Sequence, residues 1–239
     1  MAKNTGKIVL WHSAMAGAAA AALAAWRWQR RWGATAAEQR AVLPGDSLVP
    51  QPLLQATRAI GIDAPPEAVW PWLAQLGYGK AGFYSYDWLQ RGAGLGIVNA
   101  DQINPEWQDP QAGDQVSLAE GVALMVAEAT PPQAFVLVGT AGPDAPPGLK
   151  DLDFTWAFIL EPEGPAGTRL VARERYAWLR WRSGVAVKAI AWISFVMSRA
   201  MLLGIRARAE SAWLGQLEAK LDDAVDVLAA SAAPADEVG

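Results

Sequence analysis

The chain contains no cysteine, which excludes disulfides, thiolate nucleophiles and cysteine metal ligands together. Its single histidine, His12, sits inside an apolar run, so acid–base chemistry elsewhere would have to rest on Asp, Glu, Lys or Tyr. Charge is sparse at 18% of residues, net −4, without the basic footprint of a nucleic-acid binder. Phosphate loops of the GxxxxGK[ST] type, HExxH, GxSxG and calcium-loop patterns are all missing. Gly77 to Gly82 (GYGKAG) has GxGxxG spacing, but it follows a helical pattern instead of a strand and reads as a helix stop and turn. The pairs Asp109/Asp114 and Asp222/Asp223 are spaced like solvated loop and helix surface. No metal or other cofactor is expected.

What the chain has in excess is apolar bulk: 52% hydrophobic residues and thirteen tryptophans among 239 residues. That much apolar side chain calls for a membrane segment, a greasy interior, or both. Ile8 to Trp26 (IVLWHSAMAGAAAAALAAW) carries no charge, and nineteen residues rise about 28 Å as a helix, close to the hydrocarbon thickness of a bilayer. Trp11 at one end and Trp26, Trp28 and Trp32 at the other fit interfacial belts, with Arg27, Arg30 and Arg31 as a basic stop. A cleaved signal peptide is the rival reading, since Lys3 and Lys7 precede the run; its length and the RWQRRW flank favour an uncleaved single-pass anchor. The arginines, with the more distant Arg40, slightly outnumber the upstream charges, which puts the following domain on the cytoplasmic side. Residues 1–32 are thus an anchor and 33–53 a tether lying over the domain surface; 54–229 form the folded domain, and 230–239 a tail.

Within the domain, Leu54 to Ile62 reads as a strand. A helix follows with Asp63 as N-cap, an apolar stripe of Val69, Trp70, Leu73 and Leu76, and Gly77 as its stop. A second short helix or turn carries Phe83, Tyr84, Tyr86, Trp88 and Leu89. Period-two segments come next: Val116–Ala119, Val122–Glu128, Ala134–Thr140, Asp153–Glu161 and Thr168–Trp178. Val185 to about Leu228 is one long helix, with a possible interruption at Gly204. Val185 to Ile205 is long enough to suggest a second span, but Lys188 and Arg199 interrupt it, which favours packing over the sheet or lying at a membrane interface. The order predicts an α+β fold in which a curved antiparallel sheet grips the terminal helix.

The last hairpin also predicts an interior. If Leu160 opposes Leu170, then Phe158 meets Ala172, Trp156 meets Glu174 and Phe154 meets Tyr176 on one face. Glu161 with Arg169 and Thr155 with Arg175 occupy the other, which reads as solvated. An inward Glu174 is costly unless paired or hydrogen-bonded. It is either a ligand-contacting or raised-pKa acid, or a carboxylate satisfied by Tyr and backbone donors. Arg173, Arg175, Arg180 and Arg182, with Trp178 and Trp181, suggest either a contact to anionic head groups or an exposed strand end.

Blocks at IDAPPEAVWPWLAQLGYG, GFYSYDWL, NADQINPEWQ, TWAFILEP, VARERY and MSRAMLLGIRARAE resemble the START-like SRPBCC superfamily, in a bacterial branch with an amino-terminal hydrophobic segment. The resemblance spans roughly residues 32 to 212. It implies the helix-grip fold and binding of lipids, sterols, polyketides or other apolar molecules; some members are cyclases, aromatases or dehydratases. It carries no catalytic residue set. The expectation is a membrane-tethered, non-catalytic binder or short-range carrier of a hydrophobic small molecule or lipid, with Tyr84, Tyr86, Trp88, Trp156, Phe158, Glu174 and Tyr176 as candidate contacts. A cyclase or dehydratase using Glu174 and a tyrosine, and a structural or partner-binding module, are the alternatives.

Overall fold

A computed structural model describes residues 2–85, 98–140, 152–178 and 181–232. Helix α1 (Ala2–Gln29) leads into a short helix α2 (Ala36–Arg40), then strand β1 (Leu54–Ile62) and helix α3 (Pro66–Ala74). Strands β2 (Gln115–Ala119), β3 (Val122–Thr130), β4 (Ala134–Thr140), β5 (Leu152–Glu163) and β6 (Gly167–Trp178) follow, and helix α4 (Trp181–Ala232) closes the fold. All pairings are antiparallel, in the order β1-β6-β5-β4-β3-β2. The expected second helix with Tyr86, Trp88 and Leu89 lies outside the described residues.

The β5–β6 register is the one that side-chain parity requires, with Trp156 opposite Glu174 and Phe154 opposite Tyr176. Even-numbered residues of β1, β5 and β6 therefore share the concave face. There Ile60, Ile62, Phe158, Leu160 and Leu170 meet Met201, Leu202 and Ile205 of α4 in the main core. The stretch from Val187 to Leu228 is long and apolar enough to cross a membrane by length and composition. Its buried face nevertheless lies against the sheet, as a core helix does.

Three expectations need correction. Helix α3 is capped at Pro65, not Asp63, and ends before Gly77, at Ala74. Gly204 does not interrupt α4; it is where the helix presses on the turn at Tyr84. A Cβ there would fall 2.2 Å from the Tyr84 carbonyl oxygen, so Gly204→Ala should cost about 1–3 kcal/mol. Thermal unfolding checks this, and an unshifted midpoint would refute the close approach.

The third correction concerns the opposite, convex face, which is covered instead of solvated. Thr155, Arg173 and Arg175 are buried beneath residues 33–50. Arg173 donates to the carbonyls of Ala41 and Glu38 and to Asp46; Arg175 reaches the Pro50 carbonyl and Asp46. Arg169 holds Glu38 and the Gly33 carbonyl. The strap is stiffened at its start by a capping box between Thr35 and Glu38. Under it Ala59, Val136, Ala157, Ile159 and Val171 form a second small core. These arginines are thus strap anchors, and the head-group role considered for Arg173 and Arg175 does not hold; the side chains of Arg180, Trp181 and Arg182 lie outside the described set.

Strand β1 would be an exposed edge, open to pairing with another chain. The amides of Thr57 and Ala59 instead donate to the carbonyls of Arg30 and Trp32, so the exit of α1 closes it.

Candidate functional site

Parity places Arg58 on the concave face with Glu174, two residue pairs along the β1–β6 ladder. The two are 1% and 2% exposed, and Arg58 Nη1 lies 2.6 Å from Glu174 Oε1. Tyr176 donates its hydroxyl to Oε2 at 2.9 Å. From α4, Ser198 donates to Oε1 at 2.8 Å, and the Ser194 hydroxyl lies within 2.9 Å of both oxygens. Ser194 and Ser198 are four residues apart and so share one helix face. Burial would push the Glu174 carboxyl up; the Arg58 charge and the hydroxyls of Ser198, Ser194 and Tyr176 outweigh it and hold its pKa below the usual carboxylate range. Burial first, then the neighbouring Glu174 charge, pushes the Tyr176 phenol well above its ordinary value.

The pair is also wired to α1. Arg58 Nε donates to the Gln29 carbonyl at 3.1 Å and Nη2 to the Gln29 side chain at 3.3 Å. Phe195 lies 5.5 Å from the Arg58 guanidinium and packs edge-on against Trp28, while Trp26 meets Trp192. Both Glu174 oxygens are thus engaged, and the group is an ionised structural carboxylate with no proton to give and no vacant acceptor facing a substrate. The raised-pKa acid weighed for Glu174 is not what the geometry provides. Satisfaction by Tyr176 was legible in the hairpin register; Arg58, Ser194 and Ser198 were missed. Alternation along β1 was the one available signal for Arg58.

The other candidate residues separate. Phe158 is fully buried core. Trp156 tilts against Phe158 at 4.9 Å and stacks on Phe83 at 6.3 Å, and Phe154 packs on Tyr176 at 4.7 Å. Phe154 and Trp156 stay only partly buried although they face inward. The Trp156 indole N–H is buried with no hydrogen-bond partner among the described residues, a costly state in a native interior. Tyr84 is held elsewhere, donated to by Gln75 at 2.7 Å, against Trp72 and under Arg208. Burial raises its pKa to about 12. Tyr86 and Trp88 lie outside the described residues.

The order β1-β6-β5-β4-β3-β2, with α3 inserted after β1 and α4 across the concave face, defines a START-like helix-grip fold. Among solved structures, a hypothetical protein from Helicobacter pylori is 11% identical, covering 71% of this chain and 96% of its own, with a TM-score of 0.44. A Polyketide_cyc-like protein from Corynebacterium glutamicum is 15% identical over 66% of this chain and 91% of its own, with a TM-score of 0.37. A protein from Mesorhizobium loti is 19% identical over 63% and 96%, with a TM-score of 0.37. No protein-family model matches the sequence, and no curated protein matches it.

Proposed function

We propose that the protein is a membrane-anchored binder of an apolar molecule carrying a hydrogen-bond acceptor, held between the concave face and α4. One observation carries this reading: the inward, incompletely buried rings of Phe154 and Trp156, with buried Phe83 stacked beside Trp156, whose indole N–H has no partner among the described residues. Aromatic walls supply affinity by burial, at about 25 cal/mol per Å². One donor aimed into them would orient a carbonyl or ether oxygen. In this proposal residues 8–26 are the anchor. Trp26 and Trp28, at and just past the end of this segment, pack against Trp192 and Phe195 of α4. The domain then lies on the cytoplasmic side. The closed Glu174 network withdraws support from a cyclase or dehydratase reaction there.

Native mass spectrometry of the detergent-solubilised full chain tests the reading. An apolar mass should co-purify, and Trp156→Phe, which keeps the ring and deletes the donor, should lower its affinity about fivefold. An empty protein, or equal occupancy in the variant, would sink it.

A further inference from the structure

On the convex side of β1, away from Trp156, an open cleft of about 260 Å³ is lined by Arg27, Arg30, Arg31, Gln39, Gln55 and Thr57. It holds three guanidinium groups and no acidic residue. The nearby carboxylates are committed elsewhere, Glu38 to Arg169 and Asp46 to Arg173 and Arg175. Among the described residues none of the three cleft arginines has an ion-pair partner. Arg30 rests its guanidinium on the Trp26 ring at 5.4 Å, yet its Nε is buried with no acceptor. The negative end of α1 offsets this charge only in part: Arg31 Nε donates to the Arg27 carbonyl, while the Gln29 and Arg30 carbonyls are taken by Arg58 and the Thr57 amide. Burial first, then repulsion from Arg31 and Arg27, lowers the Arg30 pKa.

We propose that this cleft binds a phosphate-type oxyanion, with Arg27, Arg30 and Arg31 as its ligands. Planar guanidinium forks match phosphate oxygens, and the Thr57 hydroxyl, which accepts from Arg173 and Gln55, keeps its own proton to donate. The source is either a free phosphate or the head group of an anionic phospholipid; the cleft sits directly after the apolar run of α1, where head groups would lie beside an inserted helix.

The full chain in detergent should be titrated with inorganic phosphate against chloride at matched ionic strength, following the unfolding midpoint. In parallel it should be placed in phosphatidylcholine nanodiscs with and without phosphatidylglycerol. Saturable stabilisation by phosphate over chloride identifies a free-oxyanion site. Stabilisation by phosphatidylglycerol alone identifies a lipid head-group site. In either case Arg27→Gln and Arg31→Gln, both at exposed positions, should each weaken the apparent affinity about tenfold, whereas Arg31→Lys should retain part of it. The proposal is overturned if neither probe stabilises the wild type, or if the glutamine variants respond like it. Neither result bears on the Trp156 test, which probes the other face of the sheet.

Discussion

Glu174→Gln should destabilise the fold by about 3–5 kcal/mol, because it leaves the Arg58 charge buried without a counter-charge. Chemical denaturation of the full chain measures the loss. Arg58→Met combined with Glu174→Leu should recover only part of it: an apolar pair of similar volume removes both charge desolvation penalties, but it leaves the Gln29 acceptors and the Tyr176, Ser194 and Ser198 hydroxyls without these partners. The pH profile gives a second handle. Arg58 and the three hydroxyls depress the folded pKa of Glu174. Its stabilisation is therefore present above the unfolded carboxylate value of about 4.3 and is lost as pH falls through the lower, folded value. Wild type should weaken in that acid window, and Glu174→Gln should lack this part of the slope. A variant as stable as wild type would mean that the network contributes nothing.

Arg173→Met should release the strap. Arg173 is 1% exposed and donates to Thr57, Ala41, Glu38 and Asp46, so its loss orphans several buried acceptors at once. The cost should be about 3–5 kcal/mol, and residues 33–50 should be cut sooner in limited proteolysis than in wild type. Unchanged cleavage would show that the small apolar core beneath the strap, around Val136 and Ile159, holds it unaided.

Much of this architecture is written in local sequence and some is not, for physical reasons visible at particular residues. Alternation alone set the β5–β6 register and assigned Phe154, Trp156, Glu174 and Tyr176 to one face. Alternation names a face but not what covers it. The opposite face carries Thr155, Arg173 and Arg175, residue types that are usually exposed, and only a strap more than a hundred positions upstream makes it an interior. The same distance hid the Arg58–Glu174 pair, separated by 116 residues. At Gly204 a local breaker signal was overruled by packing, since the missing side chain serves the contact with Tyr84. The Trp156 ring was legible as inward; its unsatisfied N–H could be found only by mapping every acceptor around it.

The direct seam between α1 and the sheet has a mechanical consequence. The Gln29 carbonyl and amide hold Arg58, and the next residues bond straight to β1, leaving no slack between the amino-terminal helix and the domain. The domain is on a fixed mount, so any tilt imposed on that helix is passed as torque into the grip.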